Sequence, residues 1–269
     1  MTSVEPPRPT FVDMAPLMTR LEVWLADRRA HLNEVRAGRF DRQAFATRVG
    51  YRPAGRGAPQ IVVGEEVALD LGHPRTASES FVLLTGIADM VAPGRIRWLG
   101  PDLPELPLRA EVPYAQVVLV RARPDTLPDP FALEAAQYLT DRLDGYMVRS
   151  VPGRLWVRLS RAARARRLGF ETVGRALIAS YAEGFPEIDA VEVVFVSSGI
   201  DDVRALAPIA TEARVMAGHH RKLVLAPGGE LECADLDCDS CEERPVCDSL
   251  REVVIKRRRR RLDAEALRP

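Results

Sequence analysis

Cysteine is absent from the first 232 residues of this 269-residue chain, and lysine is nearly absent from all of it. Of 38 basic residues only Lys222 and Lys256 are lysines, and 38 acidic residues bring the net charge to zero. A neutral chain excludes a surface that is a nucleic-acid footprint throughout. Arginine in place of lysine is the bias that a G- and C-rich genome imposes, yet each guanidinium still offers a planar fork suited to phosphate and carboxylate. No run of eighteen apolar residues occurs, so no hydrophobic helix spans a membrane. Met1–Pro9 is proline-rich and has no apolar core of a secretory signal. Gly-x-Gly-x-x-Gly does not occur and no Ser, His and Asp constellation stands out, which leaves dinucleotide-fold and triad chemistry without support. With 46% hydrophobic and 28% charged residues, the composition is that of a globular protein with a proper core.

What cysteine there is falls in one stretch, Cys233-Ala-Asp-Leu-Asp-Cys238-Asp-Ser-Cys241-Glu-Glu-Arg-Pro-Val-Cys247. So polar a loop has no core in which to hide thiols, and four of them together read as the ligands of one metal centre, with disulfides or free thiols the lesser alternative. Structural zinc usually draws on two knuckles a dozen or more residues apart. The single closed run C-x4-C-x2-C-x5-C, with Pro245 near its end, favours a cysteine-ligated iron–sulfur cluster, with zinc as the alternative. Asp235, Asp237, Asp239, Glu242, Glu243 and Asp248 oppose thiolate formation in the metal-free state, so the loop should order only when metal binds. His219-His220 lies nearby, but four thiols already complete a tetrahedral centre. Clustered metal-type cysteines without a signal peptide predict a reducing, cytoplasmic setting.

Along the chain, Pro6, Pro7 and Pro9 keep residues 1–12 irregular. Leu17, Leu21, Trp24, Leu25, Leu32 and Val35 then recur at helical spacing, with Gly38 as a C-cap. A short helix is expected over Asp41–Val49, and Arg52–Pro59 reads as a linker. The period next shifts to strands: Ile61–Val63, Val67–Leu71, Phe81–Thr85, Ile96–Leu99 and Gln116–Arg121. Pro128-Asp129-Pro130 opens a helix carrying Phe131, Leu133, Ala136, Tyr138, Leu139 and Leu143. Leu155–Leu159 alternates as a strand, and Ser160 caps a helix over Arg161–Leu168 that Gly169 ends. Glu171–Glu183 is amphipathic, Ala190–Val196 is a strand, and Asp201 or Asp202 caps a following helix that Pro208 kinks. Pro227-Gly228-Gly229 is a turn, and Leu250–Pro269 is a helix with the run Lys256–Arg261. The pattern is α+β (mixed α/β). A central sheet with flanking helices occupies 59–230, a helical extension and linker 1–58, and the metal loop with its basic helix 231–269.

Several blocks in order carry a family likeness: Leu71-Gly72-His73-Pro74-Arg75-Thr76, Gly94-Arg95-Ile96-Arg97-Trp98-Leu99-Gly100-Pro101-Asp102-Leu103, Trp156-Val157-Arg158-Leu159-Ser160-Arg161, Gly169-Phe170, and Glu183-Gly184-Phe185-Pro186-Glu187-Ile188-Asp189 before Val191–Val196. Over about 150 residues this region resembles the central domain of acetyl-CoA synthase, the β subunit of the carbon monoxide dehydrogenase/acetyl-CoA synthase complex. The resemblance implies that Cys238, Cys241 and Cys247 correspond to the first three ligands of a 4Fe-4S cubane, with Cys233 the only available fourth. It implies a protein partner, a redox or metalloenzyme subunit. The family's nickel-binding Cys-Gly-Cys is missing, as is its large N-terminal domain, so the chain is not expected to be catalytic alone. Electron transfer or a scaffold role beside a partner enzyme is expected instead.

Arg149, Arg154, Arg158, Arg161, Arg164, Arg166 and Arg167 cluster around one strand and helix. The resemblance associates arginines here with coenzyme A, which makes Arg149, Arg154, Arg158 and Arg161 the candidate phosphate ligands; a solvated basic face is the plainer reading. His73 is expected to be structural. Lys256–Arg261 offers a second class of function, a zinc-stabilised module binding nucleic acid or an acidic partner, although no aromatic residue interleaves with it.

Overall fold

The computed structural model describes residues 13–36, 62, 64–123, 130–137, 143–151, 154–217, 223–225 and 231–233. They fall in two compact units, Met1–Gly218 and His219–Pro269. The elements of the first unit, in chain order, are α1 (Ala15–Ala26), β1 (Leu32–Arg36), β2 (Val67–Leu71), β3 (Ser78–Thr85), β4 (Arg95–Leu99), β5 (Ala110–Val112) and β6 (Tyr114–Ala122). There follow α2 (Pro130–Ala136), β7 (Tyr146–Val151), β8 (Arg154–Ser160), α3 (Arg161–Ala165), α4 (Phe170–Gly184), β9 (Ile188–Val196), α5 (Ile200–Ala205) and α6 (Ala207–Met216).

Two mixed sheets organise this unit. The five-stranded sheet runs β1-β4-β9-β6-β3, and the four-stranded sheet runs β5-β2-β8-β7. In the first, β4–β9 and β3–β6 are parallel pairs, while β1–β4 and β6–β9 are antiparallel. In the second only β2–β5 is parallel. The mixed α+β architecture is the one expected from the alternation of strand and helix patterns.

Side-chain alternation shows what covers the larger sheet. Ile96 of β4 points at α4, where Gly174 gives it room; a Cβ there would lie 2.7 Å from Ile96 Cγ2. Its neighbour Arg97 points the other way and bonds to Glu22 of α1. Successive residues of a strand face opposite sides, so α1 and α4 cover opposite faces. Helix α6 shares the α1 face through the Arg20–Glu212 ion pair, and α5 does so through Asp202, which accepts from Arg28 Nε at 2.7 Å. On the α4 face, Phe170 and Phe195 stack at 4.7 Å between ring centres. The smaller sheet meets the larger there: Ser78 Oγ donates to Leu155 O at 2.7 Å, and the Tyr114 and Tyr146 hydroxyls lie 3.5 Å apart. With both faces covered, β9 is buried over most of its length, as its run of apolar residues requires.

Several boundaries differ from the local patterns. Leu32 and Val35, spaced as if on the first helix, lie on β1, because α1 ends at Ala26 and the chain instead pairs with β4 at Leu32↔Leu99 and Val35↔Ile96. β5 and β7 carry no pattern strong enough to announce them. Ser160 does cap α3, accepting from Ala163 N–H, but α3 ends at Ala165, and Gly169 is the N-cap of α4 rather than the end of α3. Gly199, not an aspartate, precedes α5, and Pro208 lies in the first turn of a separate α6 instead of kinking one helix. The helix expected over 41–49, the linker, the strand at 61–63 apart from Val62, the 227–229 turn and the 250–269 helix lie outside the described residues. The second unit contributes an antiparallel pair, β10 (Leu223–Leu225) and β11 (Leu231–Cys233).

Two joints can be tested directly. Gly72, in the turn after β2, has φ +65°, and a Cβ there would meet Leu155 O at 2.2 Å. Gly72→Ala therefore combines a left-handed backbone with a clash against a fixed carbonyl. It should lower unfolding stability by on the order of 2–3 kcal/mol in a denaturant titration. Asp102 caps α4 from a distance, accepting from Phe170 N–H at 2.7 Å. Burial pushes its carboxyl up, opposed by the Phe170 and Leu103 N–H groups. Asp102→Ala should cost about 1 kcal/mol. Asp102→Asn, which keeps the acceptor, should cost less and gain on the wild type as pH rises above the ordinary carboxylate range, since a raised native pKa means wild-type stability falls there.

Candidate functional site

The cysteine run is only touched by the described structure. Cys233 closes β11, its backbone opposite Leu223 on β10; Cys238, Cys241 and Cys247 lie outside the described residues, as does Lys256–Arg261. Among the described residues there is no group of three or more His, Cys, Asp or Glu that could hold a metal. The metal assignment therefore rests on donor chemistry: four thiols, the whole cysteine content of the chain, in one short run.

The arginine segment is described in more detail, and its members separate. Arg149 lies on β7 opposite Trp156, and Arg154 lies on β8 opposite Val151. Arg158 lies on β8 directly across from Asp70 of β2. Its Nε donates to Asp70 Oδ1 at 3.0 Å, a second nitrogen reaches Val62 O at 3.5 Å, and its guanidinium lies 4.5 Å from the Trp156 ring centre. Trp156 Nε1–H donates to the same Asp70 oxygen at 2.9 Å. His73 meets the Trp156 ring edge-on at 5.5 Å between centres. His73 Nδ1 lies 3.2 Å from the Arg75 backbone N–H, which donates to it, and 3.6 Å from Glu111, with which Arg75 itself pairs. The alternation of β8, with Leu155, Val157 and Leu159 inward, gives Trp156 and Arg158 the outward face. The result is a small aromatic and cationic platform whose charge Asp70 already compensates.

Arg161 is different. It is exposed at the start of α3 and has no ion-pair or hydrogen-bond partner among the described residues. It borders an open depression of about 730 Å³ with Val62, Glu65, Glu66, Asp144 and Ser160. Val62 is the common neighbour of the two, since it accepts from Arg158. Two of the other arginines serve the fold: Arg164 donates to Pro104 O and Leu106 O at 3.3 and 2.7 Å, and Arg166 pairs with Asp144 at 2.7 Å. The carboxylates around Arg161 weaken its pull on an anion. The sequence points to Arg149, Arg154, Arg158 and Arg161 as a group, but not to Asp70, Trp156 and His73 as partners of Arg158. Asp70 is 88 residues from Arg158, and only strand pairing joins them.

A family model described as the CO dehydrogenase/acetyl-CoA synthase complex beta subunit matches residues 58–201, a span that takes in the four-stranded sheet and every strand of the five-stranded sheet except β1. No curated protein matches the chain.

Proposed function

This chain belongs to the family of the CO dehydrogenase/acetyl-CoA synthase complex beta subunit, and from that premise we propose that it acts as an iron–sulfur-binding relative of that subunit. Cys233, Cys238, Cys241 and Cys247 would hold a 4Fe-4S cluster, which would supply one-electron transfer when bound. The observation that carries this is the donor set, four thiols in a C-x4-C-x2-C-x5-C run with no other cysteine in the chain. The 269 residues contain no Cys-Gly-Cys, so the proposal assigns them no nickel chemistry. Their role is electron transfer, or a scaffold in a larger assembly with a redox or metalloenzyme partner. The family's name, that of a subunit of a complex, supports a protein partner.

Coenzyme A is the ligand proposed for the arginine segment. Arg161, with its open guanidinium, is the group for a phosphate, with Arg158, already paired with Asp70, beside it. Equilibrium binding of coenzyme A is expected to weaken roughly tenfold in Arg161→Ala, the loss of one charge-assisted phosphate contact.

Anaerobic purification with iron, sulfide and zinc analysis tests the main proposal. About four irons per chain with a brown visible absorption supports it; a colourless protein with one zinc and no iron overturns it. Zinc would instead favour a binding module that uses Lys256–Arg261, for which salt-sensitive oligonucleotide binding should vanish when Arg257–Arg261 are neutralised.

A further inference from the structure

A crevice at the end of the larger sheet has the form of a ligand site. β4 and β9 are parallel neighbours, in register from Ile96↔Val193 to Leu99↔Val196, so their carboxyl ends lie side by side. The chain leaves them in opposite directions. After β4 it turns toward the α4 face, where Asp102 caps α4. After β9 it turns to the α1 face, where Asp202 of α5 meets Arg28. Adjacent parallel strands whose following segments part to opposite faces open a crevice outside their carboxyl ends, the place where open parallel α/β sheets hold ligands; here it lies at a parallel pair inside a mixed sheet. A depression of about 640 Å³ lies there, within the range of roughly 300–1,000 Å³ common for small-molecule sites.

Its floor is tight. Gly100 has φ +101°, and a Cβ on it would come within 2.6 Å of Ser198 N, so the two exits touch only because this residue has no side chain. Its walls include Arg28, His31, Asn33, Ser198 and Asp202. The acid among them is already satisfied: Asp202 Oδ1 accepts from Arg28 Nε at 2.7 Å, and Oδ2 accepts from Ser198 Oγ at 2.5 Å. Arg28 is fixed further by donating to Trp24 O at 3.2 Å and by stacking 4.3 Å from the Trp24 ring centre. One amino group of Arg28 has no partner among the described residues; the imidazole of His31 and the amide of Asn33 are exposed on the same wall, Asn33 Nδ2 using one of its two protons toward Gly100 O at 3.5 Å. Donors remain in excess once Asp202 is satisfied.

We propose that the crevice at the carboxyl ends of β4 and β9 binds the oxyanion group, phosphate or carboxylate, of a small molecule, with Arg28, His31 and Asn33 as its donors. These donors include no cysteine and no residue of the Arg158–Arg161 segment, so the site stands whatever metal the cysteines hold. Only Trp24, Trp98 and Trp156 are tryptophans. In a Trp156→Phe background, fluorescence therefore reports chiefly on the α1 and β4 side, with Trp24 stacked on Arg28 itself. The full-length protein is titrated with inorganic phosphate and, separately, with succinate, at constant ionic strength. A saturable change is expected with one of them at about 1 mM or below, and the anion that produces it identifies the group. Affinity should fall at least tenfold in Arg28→Gln and in Asn33→Asp, and should be unchanged in Arg175→Gln, which removes an arginine of α4 that pairs, among the described residues, only with Glu171 one turn away. Asn33 is exposed, so Asn33→Asp tests the site even if Arg28→Gln perturbs folding through Asp202. No saturable response to either anion, or equal affinity in Asn33→Asp and its parent, overturns the proposal.

Discussion

Arg97→Met should lower unfolding stability by about 3–5 kcal/mol at neutral pH, the size expected when one partner of a buried charge pair is removed. Arg97 is 3% exposed and Glu192 is fully buried; they pair directly. Arg97 also forks onto both oxygens of Glu22, with one contact at 2.9 Å, and Arg95 holds Glu192 from the side at 2.8 Å. The network thus ties α1, β4 and β9 together with two charges of each sign. Burial works against the Arg97 charge, but the bonds to Glu22 and the field of Glu192 outweigh it and raise its pKa. For Glu192 the balance goes the other way: burial pushes the carboxyl up more than Arg97 and Arg95 pull it down. Without Arg97 that carboxyl rises further.

The sign of the pH effect follows. A carboxyl whose native pKa exceeds its unfolded value keeps its proton longer in the native state, so stability falls as pH climbs through the interval between them. Arg97→Met widens that interval, and its deficit relative to wild type should shrink as the solution is acidified toward the ordinary glutamate pKa. Thermal denaturation at several pH values measures this, with a shift on the order of 10 °C at neutral pH. Replacing both partners, Arg97→Met with Glu192→Leu, should recover most of the loss, because no buried carboxylate is left without its arginine. A double variant as unstable as the single one would show that the network's shape, and not its charge balance, holds α1 to the sheet.

That network also shows where sequence reading stops. β4 was legible as a strand from Ile96–Leu99, and β9 from Ala190–Val196, because alternation and apolar runs are local properties. Nothing local in Arg95, Arg97, Glu22 and Glu192 announces that they share one buried site, since β4 and β9 meet only through a parallel pairing about a hundred residues apart. Leu32 and Val35 fail for the same reason: their three-residue spacing fits a helix, and pairing with β4 overrides it. Ser160 succeeded because a cap depends on its own next turn. For the candidate sites, arginine and cysteine were visible as residue types, and the crevice at Gly100 and Ser198 was not. It exists only where two chain exits part.

The largest effect of all is expected at the cysteines. If the four thiols share one cluster, Cys238→Ala, Cys241→Ala or Cys247→Ala should each leave anaerobically purified protein with less than about a tenth of the wild-type iron, since a cubane held by three thiolates needs its fourth position filled from elsewhere. Cys233→Ala is the discriminating variant. Cys233 ends a strand paired at Leu223, five positions before Cys238 and outside the three cysteines proposed to match a cubane by resemblance. If it is the fourth ligand, its loss should strip iron as the others do, and Cys233→Ser should restore part of it by offering an oxygen donor. If iron and visible absorption are unchanged in Cys233→Ala, the fourth ligand is not this residue, and the cluster assignment narrows to Cys238, Cys241 and Cys247. Metal binding and folding are linked in such loops, so proteolysis of the 233–247 segment should slow on metal loading in the wild type and not in Cys241→Ala. Protection that is the same in both would sink the four-thiol site, whatever metal had been found.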